Sequence, residues 1–194
     1  MNKRIRMTAI AVVLAAASAG AMAADQGAFF VNGNLGQSHY HDRGFNGGNT
    51  DTSGAVRFGY DWNTNAWSYG VEGGYVDLGK ATGTVYTPYG TAGFNVKTSG
   101  WLLGGNGKYR FANHMFVSAR LGWFHSTFDA SVPGAGSQSF SGNGGYAGVG
   151  VGYDFNQHFS LGAGYDTYHG RATVFGTKSK ESIGVYSAFA EYRF

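Results

Sequence analysis

The chain has 194 residues, of which 34 are glycine, 16% are aromatic, 13% are charged and none is cysteine. Glycine without a triplet period, together with so many aromatics, excludes a collagen-like or disordered chain, and the lack of cysteine excludes a disulfide framework and a cysteine-borne lipid anchor. The formal charge of +3 comes from the N-terminus: Lys3, Arg4 and Arg6 are three of the 14 basic residues, the other 11 balance 11 acidic ones, and no nucleic-acid partner is expected.

Residues 1–23 are expected to be a signal peptide. A basic start precedes a short, mostly apolar run over residues 7–19, and Ala21-Met22-Ala23 is a small-residue cleavage site. The run is shorter than the roughly 20 residues a membrane-spanning helix needs. The rest, residues 24–194, is expected to be one domain, and no later window carries a helix-long apolar stripe.

From there the chain alternates with period two. Phe29, Val31 and Leu35 oppose Asn32, Asn34 and Ser38. Val56, Phe58 and Tyr60 oppose Ala55, Arg57 and Asp61. Tyr69, Val71 and Tyr75 oppose Gly70, Glu72 and Gly74. Trp101, Leu103, Tyr109 and Phe111 oppose Asn106, Lys108 and Arg110. Val117, Leu121 and Trp123 oppose Ser118, Arg120 and Gly122. Val149, Val151, Tyr153 and Phe155 oppose Gly148, Gly150, Gly152 and Asp154. Phe159, Leu161 and Tyr165 oppose Gly162, Gly164 and Asp166. Tyr186, Ala188, Ala190, Tyr192 and Phe194 oppose Ser187, Phe189, Glu191 and Arg193. These are eight segments of the length a tilted membrane-spanning strand needs.

The connections sort by length. Those after even-numbered segments are short, at residues 62–66, 112–113 and 156–158. Those after odd-numbered segments are expected to be long polar loops, roughly residues 39–51, 78–98, 129–144 and 168–181. Short turns on one rim and long loops on the other is the layout of an outer-membrane barrel, and a soluble sandwich has no reason to adopt it. Each even segment also ends on tyrosine-x-aromatic: Tyr60 and Trp62, Tyr109 and Phe111, Tyr153 and Phe155, Tyr192 and Phe194. These side chains are expected to form a periplasmic aromatic girdle, where an amphipathic ring has its body in lipid and its tip in water. Trp67, Phe116 and Phe159 open the following segments and are expected at the same level.

The stretches Tyr69 to Lys80, YGVEGGYVDLGK, and Tyr186 to Phe194, YSAFAEYRF, resemble the OmpA/OmpX-like family of small outer-membrane β-barrels, which includes the opacity-type proteins. The resemblance covers the whole mature chain. It implies an all-β, transmembrane, eight-stranded antiparallel up-and-down β-barrel, exported to the bacterial cell outer membrane and monomeric there. Its partners would be outer-membrane lipid and lipopolysaccharide, and the barrel-assembly machinery during biogenesis. Ser187, Tyr192 and Phe194 fit the family's assembly signal, and Phe189 stands where the family has a small residue.

On the inward face, Arg57, Glu72, Lys108, Arg120, Asp154, Asp166 and Glu191 are expected to make an ionic network, because an eight-stranded barrel is narrow and is filled by side chains. Inward glycines on segments six and seven leave room for it. No metal, cofactor or catalytic residue is expected. His39 and His41 beside Asp42 make a weak metal pattern against that of a solvated loop. The run HSTFD, His125 to Asp129, holds hydrolase residue types, but neighbours on a strand face opposite ways. Polar loop segments with scattered aromatics, residues 85–94 and 131–140, are where a surface interaction would reside. The expected role is structural or surface-interacting and non-catalytic. The alternative is a narrow small-solute channel, and a lipid-A-modifying barrel enzyme comes third.

Overall fold

The computed structural model describes residues 27–40, 50–87, 90–132, 136–174 and 177–194. The expected signal peptide lies outside the described residues. Eight antiparallel strands, β1 (Gly27–Tyr40), β2 (Thr50–Thr64), β3 (Trp67–Thr87), β4 (Gly90–Arg110), β5 (Met115–Val132), β6 (Gly136–Asp154), β7 (Phe159–Val174) and β8 (Thr177–Arg193), close into a barrel in sequence order. Closure follows from the alternation. A sheet with one face in lipid must pair every backbone group, and only a sheet without edges does so.

The stagger of the barrel is read from its pairing. From Phe30 the partners run through Gly59, Glu72, Gly104, Gly122, Tyr146, Tyr168 and Ile183, and return to β1 at Tyr40, ten residues further along the same strand. Such a stagger tilts the strands by roughly 40° and leaves an interior just wide enough for side chains.

The three short connections are tight turns built on asparagine and histidine. Asn65 and His114 adopt the left-handed conformation, with φ of 48° and 66°, which these residue types tolerate better than most. Asn156 Oδ1 accepts hydrogen bonds from the backbone N–H groups of His158 and Phe159, both at 2.8 Å, so the polar corner supplies the partner that the sheet no longer provides.

At the other rim the structure corrects the sequence. Three of the segments expected as long loops, residues 78–98, 129–144 and 168–181, are largely strand, and most of the fourth, residues 39–51, lies outside the described residues. Pairing continues to Thr87 with Gly90, Val132 with Gly136, and Val174 with Thr177. Residues 85–94 and 131–140 therefore belong mostly to β-hairpins. A strand outside lipid has water on both faces and needs no apolar period, so alternation does not reveal it. The ladder shifts register between Asp77 and Lys80, where Gly79 has a φ of +80° and donates its N–H to Asp77 Oδ1 at 3.0 Å. A side chain at Gly79 would be strained in that conformation and would also run into the Thr52 carbonyl.

Candidate functional site: a filled interior between two aromatic girdles

The outer wall carries the apolar half of the alternation. Among its most exposed residues are Leu35, Phe58, Leu103, Leu121 and Val149. At the short-turn rim the four tyrosine-x-aromatic strand ends make one repeated contact. Tyr60–Trp62, Tyr109–Phe111, Tyr153–Phe155 and Tyr192–Phe194 pack edge to face, with ring centroids 5.3, 5.0, 5.2 and 5.1 Å apart. Two residues apart on a strand share a face, which makes the pair a local motif four times over. Trp67 and Phe159 join this rim through Tyr109 and Phe155. Phe116 does not. Its ring points inward and is buried, and Met115 takes the outward place. The parity of β5 is the reason, because Val117 faces out and Phe116 must face in.

A second girdle, not picked out from the sequence, encircles the other end of the wall. It comprises Tyr75, Trp101, Trp123, Tyr165 and Tyr186, with Tyr75–Trp101 at 5.2 Å and Tyr165–Tyr186 at 4.7 Å. Its signal was outward parity some eight residues from each short turn. From Phe111 to Trp101 is ten residues, about 25 Å along the axis at the usual rise and tilt, which is the height of an outer-membrane apolar band.

Between the girdles ten charged side chains point inward. Arg57, Lys108, Arg110, Arg120 and Arg193 balance Asp61, Glu72, Asp154, Asp166 and Glu191. The seven expected there are all buried. Asp61, Arg110 and Arg193 complete the set, and their inward parity was the available signal. The charges lie in layers. At the short-turn end Asp154 binds two guanidinium groups, Arg193 Nη2 at 2.7 Å and Arg110 Nε at 3.0 Å, while Arg193 Nη2 also donates to Ser160 Oγ at 2.6 Å. Above them Lys108 pairs with Glu191, which also accepts from Asn32 Nδ2 at 3.2 Å, and the Lys108 ammonium sits 4.6 Å over the Phe116 ring. In the next layer Arg57 donates to Asn34 Oδ1 at 2.6 Å, Asp166 Oδ2 at 3.2 Å and the Tyr168 hydroxyl at 2.8 Å. Tyr146 donates to Glu72 Oε1 at 2.7 Å, and Arg120 Nε lies 3.7 Å from Asp166. Gly148 is bare because a Cβ there would overlap the Asp166 carboxylate.

An apolar layer closes the interior above the charges. Val76, Leu78, Leu102, Phe124, Ile183 and Val185 pack with the rings of Tyr146 and Tyr168. Leu78 is 0% and Phe124 1% exposed, so water does not reach this layer. A gap below it, beside Asp61, Lys108, Ser118 and Glu191, measures about 20 Å³, the size of a one-water site.

The other sequence candidates do not converge. His39 packs its ring against Tyr186 at 6.0 Å on the outer wall, and His41 and Asp42 lie outside the described residues. Among the described residues no group of three metal-ligating side chains assembles. His125 is bonded to Asn143 on the outer wall, whereas Ser126 is buried inside and donates to the Gly142 carbonyl. The Asp129 side chain lies outside the described residues. Ser187 is buried beneath Asn34 and Tyr192 is outward, and the Phe194 N–H donates to the Phe29 carbonyl at 2.9 Å.

The model of the family described as "Outer membrane protein beta-barrel domain" matches residues 9–194. The chain belongs to that family. Its members are barrels of the bacterial outer membrane, and the eight closed strands agree. Three solved structures share the fold. Ail, the attachment invasion locus protein of Yersinia pestis, is 17% identical with a TM-score of 0.56, over 87% of this chain and 99% of its own. Neisserial surface protein A is 14% identical at 0.54, over 86% and 97%. The outer membrane protein OprG of Pseudomonas aeruginosa is 17% identical at 0.53, over 87% and 96%. No curated protein matches the chain. In outer-membrane barrels of this kind short turns are periplasmic, which makes the tyrosine-x-aromatic girdle the inner one and the Tyr75–Trp101 girdle the outer one.

Proposed function

We propose that this outer-membrane barrel is a closed, non-catalytic scaffold whose work is done by its outer surface and its projecting hairpins. The observation that carries this is the interior: five cations and five anions, all but Asp61 in ion pairs, capped by apolar side chains, with a gap of about 20 Å³ beneath them. A channel needs a hydrated path, and this arrangement favours a plug. The opposite orientations of His125 and Ser126 speak against the lipid-modifying alternative. The chain is exported by its signal peptide, inserted by the barrel-assembly machinery through Ser187, Tyr192 and Phe194, and works as a monomer among phospholipid and lipopolysaccharide. Replacing residues 80–94 with a tight turn tests the role. The barrel should still fold, and cells carrying it should attach less well to surfaces than cells with the full hairpin. Unchanged attachment, with solute uptake falling when the whole barrel is deleted, would favour the channel.

A further inference from the structure

The β7–β8 hairpin sets like charges opposite one another. Arg171 on β7 is the register partner of Lys180 on β8, and Lys178 follows two positions along, opposite Thr173. Positions two apart on a strand share a face, so Arg171, Lys178 and Lys180 stand on one face of the hairpin. The spacing is about 5 Å across the pair and roughly 7 Å along β8. Like charges directly opposite destabilise a sheet. The acid of this hairpin, Glu181, is opposite Gly170 and falls on the other face. On β6 the position beside Arg171 is Asn143. A second like-charged pair at this rim, Lys80 opposite Lys97, has an acid beside it: Asp77 binds Lys97 at 2.9 Å. Among the described residues, none of the register partners of Arg171, Lys178 and Lys180 is acidic.

The height of this face decides what it meets. The register is unbroken from Tyr165 and Tyr186 of the outer girdle to these positions. Arg171 lies six residues past Tyr165, and Lys180 and Lys178 lie six and eight past Tyr186. At the usual rise and tilt that is roughly 15–20 Å above the girdle. Headgroups fill only about 5–7 Å outside the apolar band, so the face stands in water beyond them. Its other positions are His169, Thr173 and Ser182. None is aliphatic, and none is the Trp or Tyr anchor on which a folded protein partner is held. Phe, Tyr and Trp, the stacking platforms of single-stranded nucleic acid, are missing from it too. A row of cations at regular spacing is left, which complements a chain of repeating anions by charge alone.

We propose that the face of the β7–β8 hairpin that holds Arg171, Lys178 and Lys180 binds an acidic polysaccharide in the water outside the cell. The inference rests on the reading that the projecting hairpins do the work of this barrel, and it names the chemistry of one partner. An anionic chain laid along the hairpin offsets the repulsion between Arg171 and Lys180, which the hairpin by itself does not.

The test titrates the full-length mature barrel, refolded in zwitterionic phospholipid vesicles, with dextran sulfate and with uncharged dextran of equal length, by calorimetry. Dextran sulfate should bind and dextran should not. Binding should weaken as salt rises from about 50 mM to about 300 mM, because screening shortens the reach of exposed charges. R171Q/K178Q/K180Q should bind roughly tenfold more weakly, three exposed contacts at about 0.5 kcal/mol each. R171K/K178R/K180R should keep the affinity. K80Q/K97Q, which removes two cations from another hairpin of the same rim, should stay within about twofold of the unmodified protein. Equal binding by R171Q/K178Q/K180Q, or an equal loss in K80Q/K97Q, overturns the site. Equal or tighter binding of a DNA oligonucleotide of matched charge overturns the assignment to a polysaccharide, and abolition of binding when lipopolysaccharide is added to the vesicles gives the face to lipid instead. No binding of dextran sulfate at all leaves Lys178 and Lys180 as guards of the β8 edge past the Tyr40–Ile183 pair. If attachment still falls when residues 80–94 are replaced, that result removes this site and leaves the role of the hairpins standing. Gel migration before and after boiling establishes that each variant is folded.

Discussion

Arg57 on β2 and Asp166 on β7 close an ion pair of 3.2 Å across the interior, although 109 positions separate them in the chain. The same guanidinium also holds Asn34 and the Tyr168 hydroxyl, and lies 3.9 Å from Glu72. One side chain thus ties β1, β2, β3 and β7 together beneath the apolar cap.

Removing Arg57 alone leaves Asp166 and Glu72 short of a partner in a dry place. Arg57→Met should cost about 3–5 kcal/mol, the usual consequence of breaking a buried pair from one side. Arg57→Met with Asp166→Leu should recover much of that, because the double change removes the stranded charge together with its partner. Urea unfolding from lipid vesicles measures both. A cost below about 1 kcal/mol for the single variant would show that the pair is not the tie described.

How far the sequence carried this fold depends on which surface each residue faces. Leu103 and Leu121 are legible because lipid forces an apolar side chain at every second position. Arg57 and Glu191 are legible by the same parity, being the polar half. Their partners are not, because which inward residues meet depends on the ten-residue stagger, and alternation is blind to stagger. Thr82 and Val85 were placed in a loop because β3 continues into water, where no solvent contrast imposes a period. Phe116 was placed in the girdle on residue type, and strand parity decided otherwise. Tyr146 and Tyr168 were not assigned to the interior, and Tyr168 fell in the expected loop over residues 168–181, although both stand on the glycine side of β6 and β7, which is the inward one.

With the short turns in the periplasm, an epitope inserted beside Gly136, at the β5–β6 hairpin, should be reached by antibody on intact cells. One inserted at Asn156, in the β6–β7 turn, should be reached only after the outer membrane is opened. The reverse pattern would invert the assignment of the two girdles.

Phe194 is held by one backbone hydrogen bond to Phe29 and one ring contact with Tyr192. Burial of such a side chain contributes at most about 1.5–3 kcal/mol, a small part of a barrel closed by eight paired strands. Deleting it should nevertheless sharply lower the amount of protein in the outer membrane, if it belongs to the assembly signal. The purified deletion variant should still refold in detergent. Normal outer-membrane levels would remove the assembly role, and failure to refold would transfer the effect to stability.

The closed interior is the claim on which the proposed function stands, and planar-bilayer conductance of the refolded full-length mature barrel tests it most directly. The layer formed by Leu78, Leu102, Phe124 and Tyr168, above balanced ion pairs, predicts insertion without steady current steps. Thinning that layer with Phe124→Ala and Tyr168→Ala together should raise the frequency of openings. Uniform, long-lived channels in the unmodified protein would contradict the account.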